Sequence, residues 1–247
     1  KNIEAHYDLG NDFFETFLDE SMMYSAAIFA EPDMTLKEAQ DNKLKTICDK
    51  LQLKPQDHLL EIGTGWGAMA IFAAEHYGCR VTTTTLSKEQ KKMAEQRIRE
   101  KGLEEKITVL LEDYRDLQGT FDKLVSVEMV EAVGHEYLPE YFESCSRLLT
   151  PKGLFLMQVI TIPDQRYDRA RKDIDFIKRY IFPGSCIPSV ERVMNCVSKK
   201  TDMRLLNHQD YTRDYAKTLG MWHENLLHQS QKVVDLTSER FMRMWRF

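Results

Sequence analysis

Residues 59–69, LLEIGTGWGAM, constrain the fold more than any other stretch: an apolar run of strand length, three glycines at alternate positions, then small apolar residues at helical spacing. Glycine lacks a Cβ, so Gly63, Gly65 and Gly67 let the backbone turn sharply and approach a ligand. The N-terminus of the following helix favours electron-rich groups. A strand feeding a helix through such a turn is a βα unit, and the chain repeats the alternation. HLLEI reads as a strand, AMAIFAAEHYG as a helix closed by Gly78, and CRVTTTTL as a strand. SKEQKKMAEQRIREKG reads as a helix with Ser87 as N-cap and Gly102 as its stop. ITVLLED and DKLVSVEM follow as strands, YLPEYFESCSRLL as a helix, and GLFLMQVI as a strand after a turn at Pro151–Gly153. This order predicts an α/β, Rossmann-like fold with a parallel sheet and crossover helices.

The alternation covers residues 56–160, the expected cofactor-binding core. Residues 1–55 read as a helical cover, with Phe13, Phe14, Phe17 and Leu18 at helical spacing. In the same region Leu36, Ala39, Leu44, Ile47, Cys48 and Leu51 fall close to one face, ahead of Pro55. Residues 161–192 form an insertion. Within it RYDRARKDIDFIKRYIF reads as one basic amphipathic helix, with Ala170, Ile174, Ile177 and Ile181 on one side and six Lys or Arg against three Asp between 166 and 180. It is either a solvated surface helix or a lipid-facing lid. Residues 193–247 close the core with a weaker sheet pattern around MRLLNHQDY and then helices. At 247 residues the whole reads as one domain. The chain opens on Lys1 and stops inside the amphipathic TSERFMRMWRF, so a longer natural protein is expected.

A net charge of −5 gives no electrostatic case for nucleic acid, although the basic helix allows a local membrane contact. No apolar run reaches the ~18 residues of a membrane helix. Five cysteines without CxxC spacing point to a reduced, cytoplasmic setting. His135, His223 and His228 lack metal-ligand spacing, so no metal site is expected, and His6 reads as a structural histidine or part of the cofactor cover.

The glycine loop alone also fits a loose dinucleotide fingerprint, Gly63-x-Gly65-x-x-Ala68. A nicotinamide site wants an acid at the end of the second strand, and here that strand ends VTTTTLS. Glu61, two residues before the first glycine, is instead typical of S-adenosylmethionine sites. Asp113 and Tyr114, where the third strand ends, supply an acid and an aromatic for an adenine ring. A sulfonium cofactor is therefore favoured over a nicotinamide.

Taken together, HYDLGNDFFETFLDESMMYSAAIF, TLKEAQDNKL, LEIGTGWG with TLSKEQ, EMVEAVGHEYL, DFIKRYIFPGSCIPS and DYAKTLGMW resemble, in joint order and spacing, the cyclopropane-fatty-acid synthases over nearly the whole chain. The resemblance implies a seven-stranded class I methyltransferase sheet with a helical cover. It places the methionine part of S-adenosylmethionine against Tyr24, Ser25, Gly63 and Gly65, and the nucleoside near Thr85, Leu86, Gln90 and Tyr114. It implies methyl transfer to a cis double bond in an unsaturated phospholipid acyl chain, with peripheral contact at the inner membrane surface, and is compatible with a homo-oligomer. The resulting carbocation loses a proton to a bound bicarbonate and closes a cyclopropane. In the family a glutamate, a tyrosine, a histidine and main-chain amides hold that ion. Carried over, these are Glu131, Tyr215, Gln158 in the histidine position, and the amides of Ala26 and Ile160.

An alkene is a feeble nucleophile, so the chemistry needs in-line positioning in a dry cavity, an effect that supplies ~7–11 kcal/mol. A cation without a hydrogen-bonding handle needs fields, aromatic faces and a base in reach. Within VSVEMVEAVGHEYL, Glu131 fits that base site, while Glu128 matches no family ligand and reads as a structural or cofactor-adjacent acid. Gln158 donates hydrogen bonds but carries no charge, and Ala26 stands where many members have cysteine, so the anion site is altered. A methylene or methyl-branched product, a small-molecule N-methyltransferase on the same scaffold, and a non-catalytic cofactor-binding relative are the alternatives. Trp66 either packs on the cofactor or buries, and Phe13, Phe14, Phe17 and Trp222 read as core.

Overall fold

The chain is described by a computed structural model over residues 10–246; His6 lies outside these residues. Five strands, β1 (His58–Ile62), β2 (Arg80–Thr84), β3 (Ile107–Leu110), β4 (Phe121–Val127) and β5 (Leu149–Gln158), form one sheet in the order β3-β2-β1-β4-β5. Every pairing is parallel. The order reverses between β1 and β4, which opens a crevice beyond their carboxyl ends, the usual place for a ligand in such sheets.

Helices cover both faces. α1 (Leu36–Lys50) begins with a capping box in which the Thr35 hydroxyl accepts from the Glu38 amide and the Glu38 carboxylate accepts from the Thr35 amide. With α2 (Ala68–Tyr77) and α3 (Lys88–Glu100) it lies over β1, β2 and β3, burying Leu44, Ile47, Leu51, Leu59, Met69, Val81 and Ile98. α2 ends on Gly78 at φ 71, and the Ser87 hydroxyl caps α3 by accepting from the Gln90 amide. On the other side α4 (Leu138–Leu148) packs Tyr141, Phe142, Cys145 and Leu148 with Leu60, Leu124 and Cys196 of α6 (Val190–Lys200). A third cluster joins Phe13, Phe14, Phe17 and Trp66 to Trp222 of α7 (Thr212–His228) and to α8 (Ser230–Leu236) and α9 (Glu239–Trp245). Phe13 and Phe14 are fully buried there, in the core of the cover.

Four expectations need correction. The sheet has five strands among the described residues, not seven: residues 203–211 make no strand, and Leu205 and Leu206 stand exposed in that polar stretch. No turn separates Pro151 from Gly153. β5 starts at Leu149 and runs through them, with a register irregularity against β4 where proline lacks its N–H. Among the described residues, the cover ahead of α1 is helical only over Asn11–Phe14, and residues 15–35 run as turns and extended chain. Side chains satisfy that backbone: Gln40 donates to Ser25 O, Asn42 to Ile28 O, and Thr218 and Asp214 accept from the amides of Ala27 and Phe29.

The insertion is also not one helix. α5 (Asp164–Ala170) stops, and a single π turn, Ile177–Ile181, follows. Lys178 donates to the carbonyls of Ala170 and Asp173, and Asp175 accepts from the Lys178 amide, so the polar side chains of this segment cap a break that apolar spacing conceals. The expected apolar side is not buried: Ile174 is 77% exposed and Ile177 44%.

Candidate active site

The glycine loop leaves β1 at the crevice. Gly63 and Thr64 both donate to Thr84 O at the end of β2, and Gly63, Gly65 and Gly67 have φ of 103, 51 and 89. A Cβ on Gly63 would stand 3.1 Å from Met129, whereas one on Gly65 would meet nothing within 4 Å, so Gly65 borders open space. Below the loop Glu61 is buried, with the Thr83 hydroxyl 2.7 Å from its Oε2 and from Thr64 Oγ1; burial pushes its carboxyl up to about 8. Trp66 faces the cover: it is 3% exposed, donates to Asn11 and packs on Phe14.

Thr85, Leu86 and Gln90 gather where β2 turns into α3. The Thr85 hydroxyl donates to Gln90 Oε1 at 2.8 Å, both residues are buried, and Leu86 is half exposed. Asp113 and Tyr114 sit beyond β3. The Asp113 carboxylate receives Arg115 in a two-point contact (2.9 and 2.7 Å), which holds it below the usual carboxylate range. Tyr114 stands edge-on to Tyr141. Tyr24 lies among the rings of Phe14, Phe17, Phe182 and Trp222, and Ser25 is buried beneath α1.

Opposite the loop, β4 ends in a strained residue. Glu128 has φ 46, which a non-glycine residue adopts only when its surroundings demand it. The surroundings are visible: its N–H donates to Gln158 O, and its Oε1 accepts from the Ala26 amide at 2.9 Å and the Gln158 side chain at 2.8 Å. Gln158 also donates to Ala26 O. Glu131 follows on a 3-10 turn, Val130–Ala132, where its Oε1 accepts from the Ile160 amide at 2.7 Å and its Oε2 is buried without a partner. Burial first, then the charge of Glu128, pushes the Glu131 carboxyl up to about 8. Tyr215 on α7 feels both acids, and burial together with their charge raises its phenol well above the normal value. Thus the structure brings Ala26 and Gln158 onto Glu128 and Ile160 onto Glu131, with Tyr215 in the field of both acids. Glu128, expected only as a structural or adjacent acid, binds Ala26 and Gln158 and acts on Glu131 and Tyr215 through its charge.

Lys43, by contrast, carries no reading from the sequence. Lys43 lies in the apolar stripe of α1, four residues from both Ala39 and Ile47, and is fully buried. Its ammonium donates to Ser25 Oγ at 2.6 Å. A lysine at an inward helical position was the available signal.

A parallel sheet in this order, a glycine loop after β1 with a buried glutamate beneath it, and acids at the point where strand order reverses define a class I methyltransferase. All residues, 1–247, match the family model described as mycolic acid cyclopropane synthetase, and the chain belongs to that family. It is 42% identical over 245 residues to the cyclopropane-fatty-acyl-phospholipid synthase of Escherichia coli strain K12, covering 99% of this chain and 61% of that protein. It is 38% identical over 253 residues to tuberculostearic acid methyltransferase UfaA1 of Mycobacterium tuberculosis, covering 99% and 59%. This chain thus spans about six-tenths of the length of these two relatives. The crystal structure of mycolic acid cyclopropane synthase CmaA1 complexed with SAH and CTAB superposes with a TM-score of 0.92 at 34% identity, covering 99% of this chain and 89% of that one.

Proposed function

We propose that the chain transfers a methyl group from S-adenosylmethionine to the cis double bond of an unsaturated phospholipid acyl chain and closes a cyclopropane by removing one proton from the added methyl. The observation that carries this reading is the carboxylate pair beyond the end of β4, next to the glycine loop through Met129 and Gly63: Glu128 half-buried, and Glu131 buried with one oxygen unpartnered. When bound, S-adenosylmethionine supplies an electrophilic methyl on a sulfonium. Gly63, Gly65, Tyr24 and Ser25 would hold its methionine part, and Thr85, Leu86, Gln90, Asp113 and Tyr114 the nucleoside. The open space over Gly65 and the buried Thr85–Gln90 pair fit such a ligand. The reported CmaA1 complex with SAH supports the same reading.

The chain's own part is to exclude water, present negative charge and take a proton. Tyr24, two residues from Ala26, packs against Phe182 and Trp222 and gives the site an aromatic wall. Glu128 supplies fixed negative charge where a cation develops. Burial pushes the Glu131 carboxyl up to about 8, which makes its ionised form a stronger base than an ordinary carboxylate, and the unpartnered oxygen of that form is where the proton goes.

The bicarbonate implied by the resemblance fits this arrangement poorly. Its donors are engaged, the Ala26 amide and Gln158 with Glu128 and the Ile160 amide with Glu131, and a further anion would lie beside the charge of Glu128. We assign no step to it. A methyl-branched product is the second reading, favoured by Gln158, which cannot carry a proton in the position of the family histidine. The exposed Ile174, Ile177 and Tyr180 of the basic insertion support contact with an anionic lipid surface.

Lipids from cells expressing the full-length protein with a deuterated methyl donor test the reading. A gain of one methylene retaining two deuterium atoms, with no reducible double bond, is the expected result. A retained double bond selects methyl branching, and absence of label from lipid overturns the proposal. In vitro, turnover should survive removal of dissolved bicarbonate; a loss restored by adding it back would return that ion to the mechanism.

A further inference from the structure

Lys43 is a buried cation whose direct partners are the hydroxyl of Ser25 at 2.6 Å and its carbonyl at 3.5 Å. A charge in such a place is costly unless nearby negative charge offsets it. Two acids do so, Glu128 and Asp19, the latter receiving the amide and hydroxyl of Ser21. Glu128 is joined to Lys43 through one stretch of backbone. Lys43 holds Ser25, the next amide donates to Glu128, and Gln158 donates to both Ala26 O and Glu128 Oε1.

The two glutamates differ in what surrounds them. Both recorded side-chain partners of Glu128 are donors, an arrangement that suits an ionised carboxylate. Glu131 has one donor on Oε1 and none on Oε2, and it shares a dry site with the charge of Glu128. Two like charges so placed do not both ionise readily. The remaining titratable neighbours do not reverse this: the phenol of Tyr215 from α7 stays protonated, and Asp19 from the 15–35 segment faces Lys43.

We propose that Lys43 is a positioning residue that keeps Glu128 ionised, so that the single proton of the pair resides on Glu131 in the resting protein. Lys43 thereby decides which of the two neighbouring acids holds the proton, and Glu131 acts as the base in the fraction that has released it, which grows as pH rises towards about 8. This use of the proton rests on the function proposed above; the distribution of charge does not. Burial alone opposes both charges, lowering Lys43 to about 8 and raising the Glu128 carboxyl; Lys43, the Ala26 amide and Gln158 pull Glu128 back towards the ionised form, and Lys43 at about 8 is still mostly a cation at neutral pH.

Difference infrared spectra of the full chain, titrated between about pH 6 and 9, report buried neutral carboxylic acids by their carbonyl stretch. Glu131→Gln should remove one acid band at neutral pH, and Glu128→Gln should remove none while lowering the pH at which the Glu131 band disappears. Lys43→Met, similar in volume, should add a band from a newly neutral Glu128, and Lys43→Met with Glu128→Gln should abolish that addition. Loss of a band in Glu128→Gln, or an unchanged spectrum in a folded Lys43→Met, would overturn the assignment. Should Lys43→Met not fold, the two glutamine variants still decide where the proton lies. The spectra need neither cofactor nor lipid, so failure of this assignment and failure of methyl transfer are separate outcomes.

Discussion

At Glu131 one oxygen is anchored on the Ile160 amide and the other is buried without a donor. A purely structural carboxylate would be expected to use both, because an unpaired buried acceptor costs ~1–3 kcal/mol. Replacing it by glutamine keeps the shape and removes the titration. Glu131→Gln should leave the dissociation constant for S-adenosylhomocysteine within a few-fold while lowering turnover by ~10²–10⁴, measured by calorimetry and by methyl incorporation into lipid. Undiminished turnover would remove Glu131 from the mechanism. The identity of this residue was legible because its whole segment matches a known pattern. Its hydrogen-bond partners were not, since Ile160 and Cys186, whose amides donate to its side chain and its carbonyl, come from separate elements.

Among the elements, the glycine loop makes its own contrast. Gly63 is at φ 103 with Met129 against it, so Gly63→Ala should lower stability by ~1–3 kcal/mol in chemical denaturation. Gly65 is at φ 51 over open space, so Gly65→Ala should cost only ~1 kcal/mol but weaken cofactor binding more than it weakens the fold. Equal losses of binding and stability at both positions would contradict a ligand over Gly65. The insertion carries a different expectation. Ile174→Asp with Ile177→Asp should reduce sedimentation with anionic phospholipid vesicles and leave cofactor affinity unchanged; unaltered sedimentation would exclude this segment from lipid contact. Its break was readable only in part, since Asp175 can cap a helical turn but nothing local says that Lys178 folds back onto Ala170.

For the molecule as a whole, buried acids tie stability to pH. Glu61 and Glu131 are both pushed from about 4.5 to about 8, so each retains a proton in the fold where the unfolded chain has lost it. Their contribution is therefore full below the unfolded value and declines as pH rises through the folded one. Glu61→Gln should flatten the fall in denaturation midpoint between about pH 5 and 8 relative to the unaltered protein, and an identical fall in both proteins would show that Glu61 is already ionised. No helix among the described residues is long and apolar enough to cross a membrane.

The linear chain by itself determined the βα alternation, the glycine turn, the helix cap at Ser87, and the stripes that become the core. Each of these depends on side-chain type at short spacing, and a period of two or 3.6 survives in one dimension. Only the tertiary structure decided that β1 and β4 lie side by side, and hence that Met129 meets Gly63 and that Glu128, Gln158 and Ala26 close on one another. It alone brought Lys43 of the cover beneath Ser25, within the field of Asp19 and of Glu128, the latter more than eighty residues away. Contacts between such distant positions leave no local periodicity, because what selects them is the burial of charge in a shared low-dielectric site, and that site exists only once the chain has folded.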